Sequence, residues 1–216
     1  MEQTILSNLT LISSGTILLP LIIGLTRYRS LDETQKILGL LIIICTVTEL
    51  TTNIMWFMRM RNLHIYQVFS VLNFNLILLV FRNHLGKRWK NPLMKFQITY
   101  TFLAIANSVF IQGYFSFNSN VTTSSSLIFI SLSVTYFYKL LREVKYQKLE
   151  KTPMFWISAG ILMYYSSTLI LFLLGEVFEG STLAREVALA AWGLNSIFNM
   201  MINTFYSLAL WVKHRK

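Results

Sequence analysis

The sequence predicts an all-α polytopic membrane protein: one domain, residues 1–216, folded as a bundle of seven transmembrane helices. Three observations lead there. Hydrophobic residues make up 54% of the chain and charged residues 13%, about half the roughly 25% that covers a soluble domain. Apolar segments of about twenty residues, the length of a helix that crosses a bilayer, recur from end to end. The basic residues gather at the ends of these segments, where they would meet phospholipid headgroups. The net charge of +10 is therefore read as a topology signal, and no nucleic-acid partner is expected.

The first span covers residues 4–26, with Pro20 as a kink near one end. No basic stretch of a cleavable signal peptide precedes it, so it is expected to be retained. Ser30-Leu31-Asp32-Glu33 reads as a capping box that opens a second span over 34–58. The third covers 63–81. Asn91-Pro92, a cap followed by proline at the first helical position, opens the fourth over 92–115. Residues 116–126, rich in Ser, Thr and Asn, read as a loop. The fifth helix covers 127–148 and extends past the membrane after Lys139. Thr152-Pro153 starts the sixth, 153–175, which stops at Gly175, and the seventh covers 186–212.

Sixteen of the 19 Lys and Arg residues fall in the first, third and fifth loops and the C-terminal tail. The other loops hold only Arg59, Arg61 and Arg185, and the N-terminus holds none. Only an odd number of spans makes that alternation consistent, and the positive-inside rule then puts the N-terminus outside and the C-terminus in the cytoplasm. Glu176, Glu179 and Glu186 in the sixth loop agree with an outer position. The expected location is a plasma (inner) membrane, with the lipid bilayer as first partner.

At 1.5 Å rise per residue, distance from a span's midpoint gives depth. Glu49, Asn73, Asn75 and Asn199 fall near the midplane, as do Tyr164 and Tyr165; Asn53, Gln67, Asn107 and Asn195 lie about a turn further out. Asn195, Asn199, Asn203 and Ser207 recur every four residues and form one narrow stripe on the last helix. Glu49 is the only acid within a span, and no Lys or Arg lies at its depth. A carboxylate there costs on the order of 3 kcal/mol, so Glu49 is expected to be neutral, in a water-filled cavity, or bonded to Asn73, Asn75 or Asn199. The asparagines read either as adhesive between spans or as the lining of a pocket. The five tryptophans sit near span ends as interfacial anchors.

The sequence lacks the chemical signatures of familiar seven-span proteins. No lysine precedes Lys213 in the last span, so covalent retinal is not expected. Three scattered histidines, one aspartate (Asp32) and one cysteine (Cys45) offer no metal cage. There is no HExxH, no GxSxG and no pair of intramembrane aspartates, so no catalytic set, metal or cofactor is expected. Several short motifs are Thr48-Glu49, His64-Ile65-Tyr66, Phe110-Ile111-Gln112 with Phe117-Asn118-Ser119, Phe155-Trp156-Ile157, and Trp192 with Asn195 and Asn199. Together they resemble a group of small bacterial seven-span integral membrane proteins of unassigned function. That resemblance implies a bacterial inner-membrane setting and no particular chemistry.

The expectation is a sensor or receptor-like module. Its ligand, a small molecule or lipid, would bind among Glu49, Asn53, Gln67, Asn73, Asn107, Tyr164, Asn195 and Asn199. A cytoplasmic signalling partner would contact the basic loops around Lys87 to Lys95 and Lys139 to Lys151. The rival reading is a small proton-coupled transporter or channel using Glu49, and the third is a membrane-embedded lipid enzyme.

Overall fold

Pro20 has no N–H to offer the carbonyl of Thr16, so a helix running through it loses a rung. In the computed structural model the helix breaks at that rung. It describes residues 2–113, 116–142, 149–173 and 182–212, and for 2–7 and 182–189 the backbone alone. Helix α1 (Glu2–Thr16) and helix α2 (Leu18–Thr26) are separated by Ile17. The interruption falls three residues before Pro20, where the sequence placed a kink.

The next cap falls two residues later than expected. Ser30 ends a 3₁₀ turn, Tyr28–Ser30, and its hydroxyl donates to the Arg27 carbonyl at 2.9 Å. The box forms instead between Asp32 and Gln35. The Asp32 carboxylate accepts the Gln35 N–H at 2.8 Å, and Gln35 Oε1 accepts the Asp32 N–H at 3.0 Å. It opens α3 (Glu33–Phe57).

Helix α4 (Leu63–His84) outruns its predicted end at residue 81. Helix α5 (Lys87–Ala106) begins earlier than its Asn91-Pro92 signal. The cause is Gly86, whose φ of 105° turns the chain sharply and lets the helix start at once. Pro92 lies inside the helix, not at its first position. A π-helical turn, Asn107–Ile111, closes this segment with a bond from the Gln112 N–H to the Asn107 carbonyl at 3.0 Å.

Helix α6 (Ser119–Arg142) overturns the reading of residues 116–126 as a loop, because most of that stretch is helical. Thr122, Ser124 and Ser126 turn their hydroxyls back onto carbonyls four residues earlier, at 2.8, 2.6 and 2.7 Å. Hydroxyls satisfied inside the helix need no water. A 3₁₀ turn, Leu149–Lys151, precedes α7 (Pro153–Leu173), which starts at its predicted proline. Helix α8 (Thr182–Trp211) starts four residues before residue 186. The predicted continuation of the fifth helix over 143–148, the stop at Gly175, Glu176 and Glu179, and the basic tail from Lys213 lie outside the described residues. No strand occurs among the described residues.

The helices close into a ring. α8 packs on α1, α2 and α7, α7 on α6, α6 on α4, α4 on α3, and α3 on α2. α3 also reaches across to α7 and α8, while α5 lies against α4. The core is aliphatic on α3 (Leu38, Leu41, Ile42), mixed on α4 (Phe74, Ile77, Leu78, Val80, Phe81) and carries Phe129 and Tyr136 on α6. Phe74 stacks between Tyr100 and Phe129, with ring centroids at 4.0 and 5.7 Å, and Phe129 meets the edge of Tyr165 at 4.8 Å. Where α7 meets α8, Gly160 leaves space for Phe205.

Two sets of contacts mark the ends of the bundle. At one end, Arg27 donates to the carbonyls of Leu210 (3.3 Å) and Trp211, and its guanidinium lies over the Trp211 ring. Gln35 Nε2 donates to the carbonyls of Ala209 and Val212, both at 2.8 Å, so the C-terminal carbonyls of α8 are capped by the α2–α3 corner. Lys139 Nζ donates to the His84 carbonyl at 2.6 Å. The Thr34 hydroxyl and the His84 ring, 3.5 Å apart, join the two, so among the described residues the α2–α3 corner and the ends of α4, α6 and α8 gather on one side, with Arg27, Lys36 and Lys139. At the far end, Gln67 Nε2 donates to the carbonyls of Gly113 and Ser116 at 2.8 and 3.0 Å.

Large apolar side chains such as Ile22, Val47, Ile54, Phe102, Phe110 and Ile170 cover the outside of the ring. Among the described residues, five stretches are long and apolar enough to cross a membrane: Asn8–Thr26, α3, α4, α6 and α7. Lys87, Arg88, Lys90 and Lys95 lower the hydropathy of α5, and Asn195, Asn199 and Asn203 that of α8.

Candidate functional site

The slab of polar residues expected at one depth divides into separate groups, because depth says nothing about which way a side chain faces around its helix. The first group surrounds Glu49. On α3, Cys45, Glu49 and Asn53 are four residues apart and share one face. Glu49 is half-buried, and its Oε2 accepts a hydrogen bond from the Ser14 hydroxyl of α1 at 2.9 Å. This partner replaces the expected Asn73, Asn75 or Asn199. Tyr66 of α4 and Tyr164 of α7 stand in the neighbourhood of Glu49 without a hydrogen bond to it. Tyr164 donates its hydroxyl to Asn195 Oδ1 of α8 at 3.3 Å. Five helices therefore meet around Glu49. Among the described residues, neither Lys nor Arg pairs with Glu49, and the Asn53 amide makes no hydrogen bond.

The second group joins α1 to α8. Asn199 Nδ2 donates to Ser13 Oγ at 3.0 Å, and Asn203 Nδ2 to Thr16 Oγ1 at 2.9 Å. Ser13 in turn donates to the Ser196 carbonyl at 2.9 Å. The asparagine stripe is thus split, with Asn195 directed to α7 and Asn199 and Asn203 to α1. Ser13 and Ser14 are adjacent, so α1 ties the stripe to the Glu49 group.

Asn73 and Asn75 belong elsewhere. Asn73 Nδ2 donates to the Tyr165 hydroxyl at 2.8 Å, linking α4 to α7. Asn75 Nδ2 donates to Thr101 Oγ1 at 2.9 Å, and its Oδ1 accepts from Gln97 Nε2 at 2.9 Å, linking α4 to α5. At the far end, Asn107 Nδ2 donates to Gln112 Oε1 at 2.8 Å and Asn118 Oδ1 at 3.1 Å, and its Oδ1 accepts from Asn120 Nδ2 at 3.1 Å. With Gln67, these amides lace the turn after α5 to the start of α6.

Of the residues expected around one pocket, Tyr164 and Asn195 bond to each other, Asn53 shares the helix face of Glu49, and Asn199 reaches Glu49 only through the neighbours Ser13 and Ser14. Gln67, Asn73 and Asn107 bond into other helix contacts. Sequence reasoning passed over Ser13, Ser14 and Tyr66. Thr10, Ser13 or Ser14, and Thr16 recur at helical spacing on the first helix, and that stripe was the available signal. The Glu49 group offers one carboxylate, two phenols, a thiol and two amides. It can accept hydrogen bonds or bind a cation or proton. Among the described residues there is no His/Cys/Asp/Glu cluster able to hold a metal ion. Comparison with protein-family models, curated proteins and solved structures returned no match.

Proposed function

We propose that this chain crosses a plasma (inner) membrane seven times, N-terminus outside and C-terminus in the cytoplasm, as a receptor-like module. The gathering of Arg27, Lys36 and Lys139 at one end of the bundle supports that orientation. A small molecule or lipid carrying a hydrogen-bond donor or positive charge binds at Glu49, Asn53, Tyr66, Tyr164 and Asn195. One observation carries this reading: among the described residues, the Glu49 carboxylate lies between apolar helices with a single hydroxyl donor and no cation. A group placed at such cost is an expected functional site. Occupancy would act on α1, α3, α7 and α8 together, and the basic residues at the adjoining helix ends, Arg27, Lys36 and Lys151, would pass the change to a cytoplasmic partner.

The test is native mass spectrometry of the full-length protein released gently from its own membrane. A co-purifying molecule that is lost in both Glu49→Gln and Asn195→Ala supports the site. Retention in both variants rejects it.

The absence of a counter-charge also favours a second reading, a proton-coupled carrier or channel in which Glu49 takes up the proton. Proton flux in liposomes that stops in Glu49→Gln, while the folded yield is unchanged, would choose the carrier.

A further inference from the structure

Gly39 sits well inside α3, where glycine is the poorest helix former after proline. Close packing explains Gly160, but not this one: a Cβ at Gly39 would meet nothing within 4 Å. The missing side chain leaves open a cavity of about 400 Å³ between α2 and α3, within the range of ligand sites. Its walls are apolar, with Pro20, Leu21 and Leu25 on one side and Leu40, Ile42 and Ile43 on the other. Tyr28, Lys36 and Glu33 stand at its charged end, and the Lys36 ammonium lies 5.7 Å from the Tyr28 ring centroid. Arg29 lines the adjoining depression and is exposed. Arg27 is already committed to the end of α8.

An apolar groove whose rim carries Lys36 and Glu33, with Arg29 in the depression that shares Leu25 and Tyr28 with it, has a net positive mouth that matches an amphiphile with an anionic head. We propose that it holds one anionic phospholipid, with an acyl chain between α2 and α3 and the phosphate on Arg29 and Lys36. Glu33 repels that phosphate and limits affinity. The site is separate from Glu49 and rests only on membrane embedding. It lies where the end of α8 is tied down, so the lipid would brace the corner formed by α2, α3 and α8.

The experiment uses full-length protein in detergent, offered phosphatidylglycerol or phosphatidylcholine with identical chains, with retained lipid counted by native mass spectrometry. Each basic residue near an anionic headgroup gives about a factor of five, so the pair gives about a 25-fold preference for phosphatidylglycerol. Exchanging Arg29→Gln and Lys36→Gln together should abolish that preference and leave phosphatidylcholine retention unchanged. Both side chains are exposed, so this variant should fold. Gly39→Leu should fill the groove and reduce retention of both lipids, whereas Glu33→Gln should raise that of phosphatidylglycerol. An unchanged preference in the double variant overturns the proposal. So does displacement of the bound species by inorganic phosphate alone, or a Gly39→Leu effect confined to loss of a protein dimer. Glu49→Gln should leave lipid retention at this groove intact, which separates the two sites.

Discussion

Ser14 and Glu49 form a contact whose two halves can be removed separately. Ser14→Ala takes away the hydroxyl and leaves the carboxyl without that donor. Bonds of this kind between membrane helices are worth about 0.6 kcal/mol on average and up to about 1.7, so unfolding should shift by that amount in a reversible detergent titration. Glu49→Gln keeps an oxygen that Ser14 can donate to, so its stability should fall by less than Ser14→Ala. A larger loss would mean that the charge itself holds the fold. Asn53 is the complementary case: with no hydrogen bond among the described residues, Asn53→Ala should leave stability within about 0.5 kcal/mol of wild type. Any effect should appear in ligand retention.

At the scale of elements, two interfaces are most exposed to single changes. α7 and α8 meet at Gly160, where an added Cβ would lie 2.7 Å from Phe205 Cβ and something must shift. Gly160→Ala should cost about 1–3 kcal/mol as overpacking, despite alanine's better helix propensity. A stabilised variant would mean that α7 and α8 do not pack this closely. The second interface is the cap on α8. Gln35 supports both its own helix start and two carbonyls of α8. Gln35→Ala should cost about 1–3 kcal/mol, the desolvation cost of a buried group left without a partner. Gln35→Glu keeps the capping oxygen but puts acceptors opposite carbonyls, so it should cost more than Gln35→Ala in the same melt. If it is as stable as wild type, the cap is not made by donation from Nε2.

At the scale of the whole molecule, the proposed seven crossings with the basic ends inside predict a labelling pattern. On a Cys45→Ala background, Arg61→Cys should react in intact cells with a maleimide that cannot cross membranes. Lys87→Cys should react only after the membrane is opened. The reverse pattern would invert the orientation, and external labelling of both would break the alternation. The ring of helices explains why α8 needs no apolar surface as complete as that of α3, α4, α6 and α7. α8 faces α1, α2 and α7 with its polar stripe, and α5 starts among basic residues before it packs on α4.

Helix type, approximate positions and the alternating charge were legible in the sequence, because each follows from how a local stretch of side chains treats its surroundings. Apolarity over α3, α4 and α7 required no knowledge of neighbours, and Pro20 and Pro153 acted through their own backbones. Local signals failed where two competed. Gly86 started α5 before Asn91-Pro92 could, and the hydroxyls of residues 122–126 were satisfied within a helix while resembling a loop. The partner of Glu49 was decided only by tertiary structure. Depth can be calculated along one helix, but the direction of a side chain around that helix depends on the packing of all the others. That packing set Ser14 against Glu49, turned Asn195 to Tyr164, and drew Gln67, Asn73 and Asn107 into other interfaces.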